Sequence, residues 1–533
     1  MNIKINYFNK GLSLYLIALI TLCFTACKSE DSVHEQQIAK TQVSFVLNGI
    51  TDATEGPLLS NVQKIASTAK SRTAAPAAKV RESLGNFDWE LSAASSNIQH
   101  IKKTANVKSS SSALKKVAAT RTSMPNGRKY RILFYELSGG QEIYRHTEEV
   151  EVSTNPFTIS LAANAQYKWY AYSYNDVNAV PLPTDLSDPT IPTRTNAPLL
   201  FDQGQFTNDV ATERIEIEFE HKISKIEVMV NGTGVFANSI SSLQAKYVNV
   251  PLTTHNFSIK SGAVVGNSIS TVNSNDAITF SNYGTPAAAN IKISTNELYT
   301  STALAQVSVQ FNELTINKTG VNSQLISSSS PRTATIAGFV NPIGNIRRAH
   351  VNLLYKGGVI GDKTWAEGNL YYDSTDPSNP YKFADPVSNG QTAACNHYWN
   401  WNTELPRSMT GAALTPVGDP CAKVYPANAW RTPSRADFAD LGTAYPNNPE
   451  NGAVYFNALN GEKVHFHEAG WVIGTNCTVA NTNDGIYWSS EQGTATTRGY
   501  SLEIDERGGV GAGNEITQYA KTHGLSIRCV RNN

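Results

Sequence analysis

The stretch Arg214-Ile-Glu-Ile-Glu-Phe-Glu-His-Lys-Ile-Ser-Lys-Ile-Glu-Val-Met-Val-Asn231 constrains the fold more than any other part of the chain. Ile215, Ile217 and Phe219 alternate with acids, and Ile226, Val228 and Val230 repeat the pattern. A period of two puts the apolar side chains on one face of a strand and the charges on the other. The same period in Gln166-Tyr-Lys-Trp-Tyr-Ala-Tyr-Ser-Tyr174 sets Tyr167, Trp169, Ala171 and Ser173 against Lys168, Tyr170, Tyr172 and Tyr174, so both faces are expected to be partly covered. Further strands are expected at Lys129–Glu136, Gly140–Arg145 and Phe157–Leu161. They lie about 10 to 15 residues apart with Gly, Asn or Pro turns between them, the spacing of a β-sandwich. His221, between the two alternating runs, is read as a packed or capping residue.

Composition agrees with a mainly β protein. Thr, Ser, Asn, Tyr and Gly are frequent while charged residues make up 17%, which favours strands and turns over helices. A chain of 533 residues predicts two to four domains. Its 44 basic and 44 acidic residues balance, and no basic stripe alternates with aromatics, so no nucleic-acid partner is indicated.

At the N-terminus Lys4 and Lys10 precede the apolar run from Gly11 to Phe24 and then Thr25-Ala-Cys27. The run is about 14 residues, short of the roughly 20 that span a bilayer, and reads as a signal peptide over 1–26. Thr25-Ala-Cys27 resembles the bacterial lipobox, with Phe24 where Leu is usual. The resemblance implies a lipid on Cys27, anchoring the protein to the outer membrane through a tether over 27–40. The patch Lys28-Ser-Glu-Asp-Ser32 resembles the signal that sends Bacteroidetes lipoproteins to the cell surface.

Gln42-Val-Ser-Phe-Val-Leu-Asn48 suits a strand closed by a turn at Asn48-Gly49. Residues 51–126 turn to Ala, Ser, Thr and Lys, with few large apolar groups to offset the entropy of ordering. A mobile loop is expected, with a helix over part of 80–105. Arg72, Arg81 and Arg121 lie in it.

Phe219-Glu-His-Lys-Ile-Ser-Lys-Ile-Glu-Val228, the tyrosine-rich strand before it and the lipobox together resemble the fimbrillin-like (FimA/Mfa-type) proteins of the Bacteroidetes. The resemblance implies two transthyretin-like β-sandwiches, 41–200 and 201–344. It also implies assembly with pilin subunits by donor-strand exchange: a trypsin-like protease cuts after an arginine behind the first strand, and a neighbour's strand fills the vacated groove. Arg121, in Ala118-Ala-Thr-Arg121, is the preferred cut, against the alternative that all three arginines are solvated loop residues.

Past Ser327-Ser-Ser-Ser-Pro331 and a strand at Thr333–Phe339 the texture changes, and six of the eight tryptophans follow: Trp365, Trp399, Trp401, Trp430, Trp471 and Trp488. Cys395, Cys421, Cys477 and Cys529 also lie here and read as two disulfides with three pairings open. Their spacing gives no zinc site. Ser434 suits an N-cap with Asp437 three residues on, starting a short helix.

Trp430-Arg-Thr-Pro-Ser434, Tyr487-Trp-Ser-Ser490 and Ile527-Arg-Cys-Val-Arg531 resemble the Fibrobacter succinogenes major paralogous (FISUMP) domain, covering 345–533. That resemblance implies an α+β module of C-type-lectin-like or formylglycine-generating-enzyme-like fold, with Cys421 joined to Cys529 and Cys395 to Cys477.

No catalytic residue, cofactor or metal is indicated. His465-Phe-His-Glu468 lacks a third ligand with support and reads as a surface strand. Glu503-Ile-Asp-Glu506 lacks a lectin's Glu-Pro-Asn triplet, and Gly508-Gly-Val-Gly-Ala-Gly513 reads as a hairpin turn rather than a phosphate loop. Trp430 and Trp488 are assigned to the core, whereas Tyr398, Trp399 and Trp401 are the candidate exposed site for a glycan or protein ligand. Two functions are carried forward: a pilus accessory or tip subunit with an adhesin role, located on the outer membrane surface or in the fimbrium, and an unpolymerised glycan-binding surface lipoprotein whose sandwiches are spacers.

Overall fold

The computed structural model describes residues 40–51, 79–85, 87–95, 121–153, 155–208, 214–318, 320–339, 344, 346–384, 395–441, 453–459, 463–474, 478–480, 484–505 and 515–532. The signal segment, Cys27, Arg72, Cys477, Glu506 and Gly508–Gly513 lie outside the described residues. The protein is mainly β.

The first sheet runs Arg121–Thr122, Lys40–Thr51, Arg214–His221, Leu200–Thr207, Gln166–Ser173, Lys129–Ser138, Gln141–Glu151, and Phe157–Ala162 also pairs with Lys40–Thr51. Leu200–Thr207 meets Arg214–His221 through two residue pairs alone, Leu200 with His221 and Phe201 with Glu220. The sheet folds over at this narrow join. Its two halves share one core that includes Phe45, Phe134, Trp169, Phe206, Ile217 and Phe219.

The alternation of 166–174 decides what lies on each side of its strand. Tyr167, Trp169 and Ala171 enter this core, while Tyr170, Tyr172 and Tyr174 enter a second cluster with Val180, Leu199 and Phe257. That outer face is covered by the segment after Ser173 and by the strand Val250–Ser258. The tyrosine hydroxyls keep partners there: Tyr172 donates to the Pro181 carbonyl at 2.7 Å and Tyr174 to that of Pro192 at 2.6 Å.

A second core lies between two further sheets. One runs Phe280–Tyr283, Ala288–Ser294, Ser224–Gly234, Ile346–Leu354, Asp88–Ser95, Val80–Ser83; the other contains Ser239–Tyr247, Gln306–Lys318 and Val321–Ile326. Two differences from the sequence expectation follow. The expected mobile loop with a helix contains instead a β-hairpin, Val80–Ser83 with Asp88–Ser95, whose inner strand pairs with Ile346–Leu354. Phe87, Trp89, Leu91 and Ala93 alternate along it and are buried in the second core, so period two prevails over the helix-favouring composition around it. The units also interleave in the chain, because Leu200–Thr207 and Arg214–His221 complete the first sheet and Ile346–Leu354 completes the second.

The C-terminal part is built from short strands. Gly358–Ile360, Lys363–Trp365, Val530–Arg531 and Trp430–Arg431 form one sheet, and Asp484–Gln492, Arg498–Asp505 and Glu515–Ala520 another. Cys421 and Cys529 are joined by a disulfide across 108 residues. Cys395 is disulfide-bonded as well.

Ser434 caps the helix Arg435–Asp440 in a capping box with Asp437, and Arg431 binds both carboxylate oxygens of Asp437 at 2.5 and 2.9 Å. Burial opposes the Asp437 charge, but hydrogen bonds from Arg431 and Ser434 outweigh it and hold the carboxyl down at about 2. The Trp-Arg-Thr-Pro-Ser run is thus a strand end and a helix start tied by one carboxylate.

Two predictions follow from these contacts. Trp89→Ala should lower the stability of the second unit by about 3–5 kcal/mol, read by denaturant unfolding; an unchanged midpoint would remove the hairpin from that core. Asp437→Ala should cost about 1–3 kcal/mol at neutral pH through loss of the cap and the paired charge. Because the folded carboxyl titrates below its ordinary value of 3.8, this contribution is complete above that value. It fades as pH falls through about 2, so acid unfolding of variant and wild type should converge there.

Candidate functional site

Lys40–Thr51 is inserted between two neighbours of opposite sense. On one side it runs parallel to Arg214–His221, from Ser44 opposite Arg214 to Thr51 opposite Glu220. On the other it runs antiparallel to Phe157–Ala162, from Lys40 opposite Ala162 to Phe45 opposite Phe157. Apolar residues meet on the inner face in both ladders: Val43 with Ile159 and Phe45 with Phe157 on one side, Leu47 with Ile217 and Ile50 with Phe219 on the other.

Phe45 is the anchor, 1% exposed. Its ring lies 5.4 Å from that of Phe134, 6.0 Å from Trp169 and 6.2 Å from Phe206, all edge-on, the arrangement aromatic quadrupoles prefer.

Sequence reasoning placed a turn at Asn48-Gly49, and the strand instead continues through it. The parallel register skips between Leu47 and Gly49, so Asn48 is the extra residue of a β-bulge. That extra residue returns Ile50 to the face already used by Val43, Phe45 and Leu47, which strict alternation would have denied it. Gly49 has φ 112°, and a Cβ there would stand 2.6 Å from the Thr122 carbonyl oxygen. Glycine alone fits.

Arg121 was expected in a mobile loop. It is the first residue of the strand Arg121–Thr122, opposite Thr51, and its guanidinium binds Glu218 at 2.9 Å. A protease needs an extended, accessible backbone on both sides of the bond it cuts, and here the residue after Arg121 is paired to Ile50. Arg81 lies in the hairpin strand Val80–Ser83 and pairs with Asp88 at 3.0 Å.

The aromatic residues expected at an exposed ligand site are placed otherwise. Tyr398 and Trp399 are 1% and 0% exposed, and the Trp399 carbonyl accepts from the Trp488 indole at 2.7 Å. They join Trp430 and Trp488 in the interior because a module of short strands with little helix draws its core from its large aromatics. Trp401 is half-buried, donating to the Ser489 carbonyl at 3.0 Å and covered by Lys521, whose ammonium lies 4.0 Å from the ring centroid. These residues do not form an open binding surface. His465, His467 and Glu468, expected on a surface strand, are buried too. Among the described residues no cluster of His, Cys, Asp or Glu is placed to hold a metal ion.

No protein-family model matches the chain, and no curated protein matches it. It is similar to solved structures of adhesion and fimbrial proteins from the Bacteroidetes. A candidate cell adhesion protein of Bacteroides fragilis is 13% identical, with a TM-score of 0.30 over 60% of this chain and 95% of that one. A fimbrial assembly protein of Parabacteroides distasonis is 13% identical, with a TM-score of 0.22 over 42% of this chain and 82% of that one. The fimbrial anchor protein Mfa2 of Porphyromonas gingivalis is 10% identical, with a TM-score of 0.19 over 39% of this chain and 78% of that one. At these scores the likeness carries no functional argument, which rests on the residues just described.

Phe45→Ala should destabilise the first unit by about 3–5 kcal/mol, with faster hydrogen exchange at the backbone amides of 157–162, which pair with the same strand. Unchanged protection of those amides would show that the strand does not hold them.

Proposed function

We propose that the protein is a surface lipoprotein anchored through Cys27 that serves as a fimbrial accessory or tip subunit, receiving a neighbour's strand in the seat of Lys40–Thr51. The observation that carries this reading is the seat itself. One strand near the N-terminus completes two ladders and fills a core made otherwise by residues 124–219, so another extended strand with the same alternation fits its place.

The other end of the paired units offers no matching donor among the described residues. Ile346–Leu354 is held on both edges, by Ser224–Gly234 and by Asp88–Ser95. A buried ion pair ties it further, Arg348 to Glu227 at 2.7 Å. A chain that accepts a strand and offers none among its described residues would end a polymer, which favours a tip or accessory place over a repeating shaft. The C-terminal module, read as the FISUMP-like adhesin part, docks on the second unit: Phe236 packs on Phe383 and Tyr355, and Asn231 donates to the Tyr425 hydroxyl at 3.1 Å.

The hairpin of 79–95 favours processing ahead of it over processing at Arg121. A cut at Arg121 would detach Trp89 and Leu91 from the chain along with the first strand. A cut between 52 and 78, where Arg72 is the only arginine, frees the first strand and leaves the hairpin attached. Digestion of the full chain with an arginine-specific protease should therefore give a new N-terminus at Thr73. A new N-terminus at Thr122, or a chain that resists cutting, would overturn this reading of how the strand is released.

A further inference from the structure

The hairpin of Val250–Ser258 and Ala263–Ser274 reaches both units. Val250 and Leu252 enter the second core, while Phe257 enters the cluster on the outer face of the first sheet. Val250–Ser258 pairs with Thr190–Pro192 on its other side, so Ala263–Ser274 is an edge strand among the described residues. Its ladder to Val250–Ser258 breaks once, with Val265 opposite Asn256 and Ser270 opposite Thr254. Gly266–Ile269 therefore bulge out of the ladder, and Ser270–Ser274 is the longer regular run.

Proteins commonly guard a long edge strand with charge or proline. Gln141–Glu151, at the edge of the first sheet, carries Glu142, Arg145, Glu148, Glu149 and Glu151. Residues 261–275 hold neither a charged side chain nor a proline, and 266–273 are all exposed. Directly opposite residues of an antiparallel pair share a face, so Val272 stands on the face of Leu252. Leu252 is 3% exposed and Val272 is 52% exposed. The apolar row that starts in the second core thus ends uncovered at this edge.

We infer that Ser270–Ser274 pairs with the same run of a second copy of this chain, antiparallel and two-fold about Val272. Ser-Thr-Val-Asn-Ser presents serine, a larger polar residue and a central valine from either end. The two-fold sets Ser270 opposite Ser274, Thr271 opposite Asn273 and Val272 opposite Val272 of the second copy. Both faces then match: the row of Leu252 and Val272 meets its own image, and Thr271, whose hydroxyl lies 3.2 Å from that of Thr253, meets an asparagine. Asp276, the first charge beyond the strand, falls opposite Ser268, so no like charges meet. Contact of a patch with itself is the isologous form of closed dimers. A ladder this short buries less than the roughly 1,000 Å² of a stable interface, so the dimer forms weakly and by mass action. Lys40–Thr51 lies in another sheet, and the pairing is independent of strand exchange.

The test is sedimentation equilibrium of the full chain carrying Cys27→Ser, which removes a lipid or a free thiol as a cause of association. The average mass should rise with concentration toward twice that of the monomer. In the same background Val272→Lys and Val272→Glu, at an exposed position that leaves the fold intact by circular dichroism, should each stay monomeric, because the two-fold sets like charges face to face. An equal mixture of the two variants should associate again, since Lys then faces Glu. A parent chain that stays monomeric at every concentration overturns the pairing. So does association that persists in each variant alone, which places the contact elsewhere, and so does a mixture of two monomeric variants that remains monomeric.

Discussion

The first unit depends on Phe45 seated among Phe134, Phe157, Trp169 and Phe206. Val43 and Ile50 are buried beside it, at 0% and 5% exposure. Three such side chains contribute about 4.5–9 kcal/mol at about 1.5–3 kcal/mol each, against about 5–15 kcal/mol for the net stability of a whole domain. The strand therefore carries a share of stability comparable to the margin by which the unit is folded. An emptied seat would expose an aromatic core and two strand edges together.

Chain order and spatial order diverge just after this strand, with consequences for the whole molecule. The hairpin of 79–95 belongs to the second core and also reaches the C-terminal module. Asp88 binds Arg81 at 3.0 Å and Arg531 at 3.2 Å, and Arg531 in turn stacks over Trp430 at 4.8 Å. Burial first, then the nearby Arg81, lowers the Arg531 guanidinium to about 10, so it stays charged at neutral pH and Asp88 keeps its partner. The hairpin of 79–95 is thus a structural tie between the second unit and the terminal module.

Where period two was strong, the sequence was legible. Ile215, Ile217 and Phe219, and the divided faces of 166–174, point to the fold directly, and the Ser434–Asp437 spacing predicts the capping box that forms. Phe87, Trp89, Leu91 and Ala93 carried the same signal, masked by the Ala- and Lys-rich residues around them. The bulge at Asn48 was not legible, since Asn-Gly encodes a turn as readily as a bulge and only the register with Ile217 and Glu218 decides. Burial of Tyr398 and Trp399 was missed for a related reason: an aromatic cluster in a loop-rich module has the same composition whether it faces solvent or core.

Both units are organised about a parallel pair, and the pairs differ in what holds their strand. In the second unit Ile346–Leu354 lies parallel to Ser224–Gly234 and antiparallel to Asp88–Ser95, with the latter register unbroken from Arg347 to Leu354. Breaking the Arg348–Glu227 pair there would leave a buried charge, at a cost of about 3–5 kcal/mol. In the first unit the corresponding strand pairs with Phe157–Ala162 over Lys40–Phe45 and with Arg121–Thr122 over Ile50 and Thr51, and its inner contacts are apolar. Similar topology therefore yields one slot tied by a buried ion pair and one filled by apolar contacts.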